Sequence, residues 1–132
     1  MLLCDYAEEL GGKLYIMGGG WSRLGTPNQP SNMALAIKLS VPWTQANEPH
    51  DLTVRLVNGN GEQQQDPQGN DVQIMGKLEV GRPPGLRPGS TLDVPIAAQF
   101  NGLVLEPGIY RWELEVDGVP MGDTTFDVVQ LG

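Results

Sequence analysis

The segment Tyr110-Arg111-Trp112-Glu113-Leu114-Glu115-Val116-Asp117-Gly118 alternates large apolar side chains with mainly charged ones at every second position. Successive side chains of an extended strand point to opposite faces of a sheet, so Trp112 and Leu114 are expected on one buried face. The Asp-Gly pair that follows is typical of a two-residue type I′ hairpin turn. The segment therefore predicts a half-buried strand, with Trp112 in the core, that turns back into a second strand.

The strand after this turn is out of phase with strict pairing. Counting cross-strand partners back from the turn would place Phe126 and Val128 on the solvent face of the sheet. One unpaired residue near Gly122 would return both side chains to the core face. The sequence therefore predicts an irregular last hairpin with a bulge near Gly122.

The same alternation recurs along the chain. The clear segments are Met33–Val41, Leu52–Leu56, Val72–Val80 and Leu92–Phe100, and the weaker candidates are Leu2–Tyr6, Lys13–Met17 and Thr124–Val129. The chain contains 18 Gly and 11 Pro, and these punctuate the segments as turn signals. No window carries a sustained helical stripe, so the pattern predicts an all-β sandwich or barrel of short strands.

Two residues refine the expected sheet. Pro95 lacks a backbone donor and lies on the outward side of its segment, which predicts an edge strand. Gly76 occupies an inward position of a regular alternation, which predicts a bulge or a close contact between sheets.

The expected core consists of the inward residues of these segments. They are Leu35, Ile37, Leu39, Leu52, Val54, Leu56, Ile74, Leu78, Val80, Val94, Ile96, Tyr110, Trp112, Leu114 and Phe126.

Composition limits the function more than it defines it. The 132 residues fit one domain, residues 1–132, and 8 Lys and Arg against 16 Asp and Glu leave a net charge of −8. Nucleic acid and anionic lipid both require clustered basic residues, so neither is expected as a partner. One Cys and one His exclude a disulfide framework and the usual zinc sites, so no metal or cofactor is expected. Neither a secretory leader nor a long apolar run is visible, and a cytoplasmic location is expected.

The C-terminal third resembles the final hairpin of bacterial immunoglobulin-like sandwiches. The resemblance rests on the Pro-Gly corner in Leu105–Gly108, the Tyr and Trp on one face of Tyr110–Gly118, and Phe126–Val128. It implies an immunoglobulin-like antiparallel β-sandwich of seven to nine strands. The chain lacks the paired cysteines of antibody domains, so the resemblance carries no disulfide and no antigen loop.

Nearly the whole chain is similar to a small family of uncharacterised single-domain bacterial proteins, seen mainly in actinobacteria. The similarity rests on Leu2–Ala7, Gly18–Arg23 and Val80–Gly85. The family has no known activity, so the resemblance supports the fold and assigns no site residue.

Two loop tryptophans are the candidate binding residues. Trp21 and Arg23 belong to the unusual run Gly18–Arg23, and Trp43 follows the Met33–Val41 segment. Exposed together, the two indoles would stack on a sugar or on a partner side chain. Otherwise each tryptophan plugs one end of the sandwich. The glycines lack the spacing, the Lys and the following helix of a phosphate loop.

Other candidate sites have weaker support. Glu113, Glu115 and Asp127 would form an acidic face that suits a basic partner. The same carboxylates could hold Ca²⁺, although they do not follow the spacing of a calcium loop. The Pro-rich loop Arg82–Gly89 suits an extended ligand or a rigid connection. His50 is the only possible catalytic histidine, and no Ser lies in a nucleophile elbow.

Three functions follow in order of preference. The first is a non-catalytic binding or assembly module that acts on an unknown protein partner or by self-association, because open sheet edges invite pairing. The second is a small-ligand or carbohydrate-binding sandwich that uses Trp21 and Trp43. The third is a hydrolase centred on His50, and the chain is not expected to be an enzyme.

Overall fold

The computed structural model describes residues 1–130, and the last two residues of the predicted domain 1–132 lie outside the described residues. Within them, the chain forms two sheets. The strands are β1 (Leu2–Leu10), β2 (Lys13–Gly19), β3 (Arg23–Leu24), β4 (Pro30–Val41), β5 (Pro49–Asn58), β6 (Gln73–Glu79), β7 (Leu92–Val104), β8 (Gly108–Val116) and β9 (Val119–Val128). One sheet has the order β2-β1-β4-β7 and the other β3-β9-β8-β5-β6, and their inner faces share one apolar core. The predicted all-β sandwich is confirmed.

The strand order is immunoglobulin-like. β1, β4 and β7 take the places of strands A, B and E, and β5, β8 and β9 take those of C, F and G in the other sheet. β6 extends that second sheet beside β5, as C′ does in variable-type domains. Every pairing is antiparallel except that of the two-residue β3, which runs parallel to β9.

Tyr110 forms the corner interaction typical of such sandwiches. It lies near the start of β8, and its hydroxyl donates a hydrogen bond to the backbone carbonyl of Glu106 at 2.8 Å. Two residues further on, where antibody domains carry their second cysteine, Trp112 is fully buried and packs against Phe100. An indole therefore fills the space that a disulfide fills in an antibody domain.

The predicted core residues face inward. Those that are buried are Leu35, Ile37, Leu39, Val54, Leu56, Tyr110, Trp112, Leu114 and Phe126. Those that are partly buried against the core are Leu52, Ile74, Leu78, Val80, Val94 and Ile96. The partly buried side chains lie mostly near the β5–β6 edge and on β7, because an edge strand has a neighbour on one side only.

The last hairpin has the predicted irregularity. Asp117 and Gly118 have φ values of 53° and 77°, as a type I′ turn requires. Leu114 pairs with Gly122 while Glu115 pairs with Pro120, so Met121 is left unpaired as a bulge. The bulge shifts the register of β9 and directs Phe126 and Val128 into the core.

The outer face of the first sheet is covered, which the alternation did not predict. Ala34 and Ala36 lie on the face of β4 that faces away from the core, yet both are buried with Cys4 and Ala7 of β1. Leu14 of β2 packs against the same cluster, so the β1–β2 hairpin lies across this outer face. Alanine side chains are short enough to let the hairpin backbone approach the sheet closely.

The two predictions about sheet edges had different outcomes. Pro95 lies on β7, which is an edge strand, as predicted. The prediction for Gly76 is wrong: it pairs regularly with Leu52, and no heavy atom lies within 4 Å of the position that a Cβ would take. Gly76 lies on the edge strand β6, where an open position tolerates any small residue.

Candidate functional site

Trp21 and Arg23 lie at one end of the sandwich. The ring of Trp21 meets Phe126 edge-on, with centroids 6.1 Å apart, and its half-buried indole packs against the core. Its buried Nε1 has no hydrogen-bond partner within the described part of the chain. Arg23 is exposed on β3 and pairs through its backbone with Asp127. Trp21 therefore closes this end of the core.

Trp43 lies at the opposite end, in a single 3₁₀ turn, Trp43–Gln45. The guanidinium of Arg82 stacks over its ring at 4.5 Å and donates a hydrogen bond to the Trp43 carbonyl at 2.7 Å. The stack is a cation–π contact that ties the Pro-rich loop to the turn. Because β8 runs from the Trp21 end to the Trp43 end, the structure does not bring the two indoles together on one platform.

His50 is held between two acceptors at the Trp43 end. Its Nδ1 lies 2.7 Å from the carboxylate of Asp117, and its Nε2 lies 2.9 Å from the carbonyl of Gln45. The Asp117 carboxylate also accepts a hydrogen bond from the backbone N–H of Asp51 at 2.8 Å. The side chain of His50 is 9% exposed.

These contacts favour the doubly protonated ring. A carbonyl and a carboxylate only accept, so both ring nitrogens of His50 donate when the ring is an imidazolium. The hydrogen bond to Asp117, followed by that to the Gln45 carbonyl, raises the pKa of His50. The same hydrogen bond, with that from Asp51, lowers the pKa of Asp117. Both ring nitrogens of His50 are therefore directed at acceptors, Asp117 and the Gln45 carbonyl.

A cleft of about 330 Å³ opens beside this ion pair between the ends of the two sheets. Its apolar walls come from Leu39, Val41, Pro42, Leu78, Val116, Val119 and Met121. Ser40 also lines the cleft, but Nε2 of His50 faces the Gln45 carbonyl rather than a serine hydroxyl.

Two of the three carboxylates of the acidic face, Glu113 and Glu115, pair with arginines. Glu113 accepts hydrogen bonds from Arg111 at 2.6 and 3.0 Å, and Glu115 accepts one from Arg55 at 3.0 Å. Among the described residues 1–130, no group of three or more His, Cys, Asp or Glu is arranged to hold a metal ion.

The β1–β2 hairpin carries an exposed surface that is largely apolar, with one carboxylate, Glu8, directly opposite Tyr15. Tyr6 and Met17 are direct cross-strand partners, and Tyr15 lies two residues before Met17 on the same face. Their exposed fractions are 45%, 68% and 54% for Tyr6, Met17 and Tyr15. We call these three residues the hairpin surface. Tyrosine and methionine are enriched in protein interfaces and are uncommon as an exposed cluster.

β2 is also an edge strand with an unprotected side. It is hydrogen-bonded to β1 on one side, and within residues 1–130 no strand pairs with its other side. The sequence indicated Lys13–Met17 only as a weak strand and did not predict this site. Alternation alone does not show which strand ends a sheet or which of its faces is already covered.

The family model of DUF6941, a family of unknown function, matches residues 1–129. The chain belongs to this family. The resemblance to a family without known activity is thereby confirmed, and its bacterial origin stays a prediction. No curated protein and no solved structure matches the chain. Across residues 1–130, no helix has the length and apolar character needed to span a membrane.

Proposed function

We propose that this chain is a non-catalytic binding module that acts through protein–protein contacts, with the hairpin surface and the free edge of β2 as the contact site. The observation that carries the proposal is that the exposed side chains and the unpaired strand edge belong to one hairpin, β1–β2. An unpaired strand edge supplies backbone hydrogen bonds to an added strand, and exposed side chains beside it supply specificity.

The other edge strands carry features that discourage pairing. β7 contains Pro95 and Asp93, and β6 contains Lys77 and Glu79. β3 is two residues long. Natural proteins use prolines, charges and short strands in this way to prevent edge-to-edge association. β2 carries one charge, on Lys13 at its first position, and no proline. Its open edge is therefore the one suited to a partner.

The contacts of His50 support a role without catalysis. A histidine base needs one nitrogen free to accept a proton from a nucleophile, and both nitrogens of His50 face acceptors. The hydrolase and the sugar-binding module stay as alternatives with less support, because Ser40 makes no hydrogen bond to His50 in this arrangement and the indoles lie apart.

A charge on the hairpin surface tests the proposal. We expect Met17→Lys to weaken partner binding at least about tenfold, because loss of a hot-spot residue costs about 2 kcal/mol or more and about 1.4 kcal/mol is tenfold. Met75→Lys is the matched control, since Met75 is 70% exposed and lies on the edge strand β6. The measurement is a pull-down with each variant as bait. Proteins that bind the wild type and Met75→Lys, but not Met17→Lys, would then be purified and mixed with the chain.

Hydrogen exchange of the reconstituted complex provides the second measurement. We expect slower exchange of the backbone amides of β2 when the partner is bound, because an added strand protects them. Equal retention by the two lysine variants, or protection confined to the His50 end, would contradict the proposal. We place this function in the cytoplasm, as the sequence predicts.

A further inference from the structure

We propose that a second copy of this chain is the strand that pairs with β2, in an antiparallel, two-fold arrangement centred on Tyr15. This inference rests on the proposed function and names the partner of the same site. A two-fold dimer uses the same surface on both copies and closes without free ends. The edge of β2 must therefore be compatible with itself in charge, register and side-chain contacts.

The charge of β2 permits self-pairing. The chain has a net charge of −8, so two copies repel one another at most surfaces. β2 contains Lys13 and no acidic residue, whereas the edge strands β6 and β7 carry Glu79 and Asp93. Two β2 strands can therefore approach without placing carboxylates opposite each other.

The conformation of β2 selects the register. Its extended part runs from Lys13 to Met17, because Gly18 has a φ of 61° and interrupts the pairing with β1. Residues directly opposite each other in an antiparallel pair point to the same face, so Tyr15 and Met17 must face odd-numbered positions of the second copy. Only pairing centred on Tyr15 satisfies this condition and pairs all five extended residues.

This register places compatible side chains opposite each other. Tyr15 meets Tyr15 of the second copy on the symmetry axis, and aromatic pairs are among the favourable cross-strand contacts. Leu14 meets Ile16, and Lys13 meets Met17, so no like charges are opposed. In the continued sheet, Met17 then lies between Tyr6 on β1 of its own copy and the aliphatic part of Lys13 of the second copy.

The contact between the two β2 strands is small, so the dimer is expected to be weak. Five paired residues on each copy, with the hairpin surface beside them, are far fewer than the about 20–30 residues a side of a typical stable interface. We therefore expect a reversible dimer that dissociates on dilution. Salt screens the repulsion between two acidic copies, so raising the ionic strength should increase the dimer fraction.

Cysteine cross-linking tests the register residue by residue. Tyr15→Cys places two thiols opposite each other on the axis, at a Cα separation of about 4.5–5.5 Å, which is within disulfide range. We expect this variant to form a covalent dimer under mild oxidation. The native Cys4 is buried, and burial raises the pKa of its thiol, so it contributes no background.

Met17→Cys is the control for random collision. Met17 is more exposed than Tyr15, at 68% against 54%, but in this register it lies four residues from its own symmetry mate. We expect little cross-linking of this variant, and little of Met75→Cys on β6. Covalent dimers that form as readily through position 17 or 75 as through position 15 would overturn the register.

Sedimentation across a concentration series supplies the independent measurement. We expect the wild type to rise above its monomer mass of 14.3 kDa with concentration, and Tyr15→Lys to stay near it, because two lysines would meet on the axis. A wild type that stays monomeric throughout overturns the second-copy inference. If Met17→Lys still abolishes binding of another protein, the proposed function stands without it.

Discussion

His50 and Asp117 are 67 residues apart in the chain, and their side chains meet at 2.7 Å. The contact joins the start of β5 to the β8–β9 turn. The other ring nitrogen of His50 contacts the carbonyl of Gln45, which lies in the connection between β4 and β5. Three segments of the chain are thus fastened at one end of the sandwich by a single imidazole.

The titration of His50 is the first prediction. We expect the pKa of His50 to lie above its ordinary value, because the Asp117 carboxylate stabilises the imidazolium, with further contributions from the Gln45 carbonyl and Glu48. The chain contains one histidine, so an NMR titration reports it without ambiguity. Asp117→Asn should lower this pKa, and Asp123→Asn, on exposed β9 backbone, should leave it nearly unchanged. An unshifted pKa in the wild type would contradict the prediction.

Stability should depend on pH through the same residue. Since the folded pKa is raised, the ion pair stabilises the folded state fully below the unfolded pKa of about 6.5. That stabilisation is lost as the pH rises through the folded pKa of His50. Urea unfolding from about pH 5 to about pH 9 should therefore show a falling free energy of unfolding in the wild type. His50→Gln should flatten this dependence, and a fall of equal size in that variant would assign it to other groups.

Gly118 should resist substitution more than Gly122. Gly118 has a φ of 77° in the hairpin turn, and an alanine forced into this left-handed region costs about 1–2 kcal/mol. Gly122 lies beside the bulge, its φ is outside that region and its Cβ position is open. Chemical denaturation of Gly118→Ala and Gly122→Ala should separate the two by about this amount. Equal stabilities would show that the turn relaxes without strain.

The corner hydrogen bond of Tyr110 should contribute to stability. Tyr110→Phe removes the bond to the Glu106 carbonyl and keeps the buried ring, so we expect a loss of about 0.5–1.5 kcal/mol. Tyr15→Phe removes a hydroxyl from an exposed ring and should change the free energy of unfolding far less. Both values come from urea unfolding at a low protein concentration.

Trp112 should be the costliest tryptophan to lose. It is fully buried between the sheets, and truncation of a large core aromatic costs about 3–5 kcal/mol. Trp43 lies outside the core in its 3₁₀ turn, so Trp43→Ala should cost much less than Trp112→Ala. Thermal unfolding of the two variants measures the difference, and a reversed order would contradict the assignment of the core.

The β8–β9 hairpin shows how far local pattern extends. Alternation predicted that Trp112 is buried, the Asp-Gly pair predicted the turn, and the phase of Phe126 predicted a bulge near Gly122 that the structure places at Met121. Each of these inferences depends on residues within about one hairpin. The candidate site did not follow in the same way, because the pattern left open whether Trp21 and Trp43 form an exposed pair or each close one end of the sandwich, and the structure places them at opposite ends.

From sequence alone, the spacing of apolar residues determined which side chains line the main core, and it limited the fold to an all-β sandwich or barrel. The tertiary structure alone decided that the β1–β2 hairpin covers Ala34, that β2 ends its sheet with an open side, and that His50 meets Asp117. The direction of a side chain follows from backbone geometry repeated every two residues. The neighbours of a strand depend instead on the order in which distant segments pair, and that order is set by packing across the whole molecule.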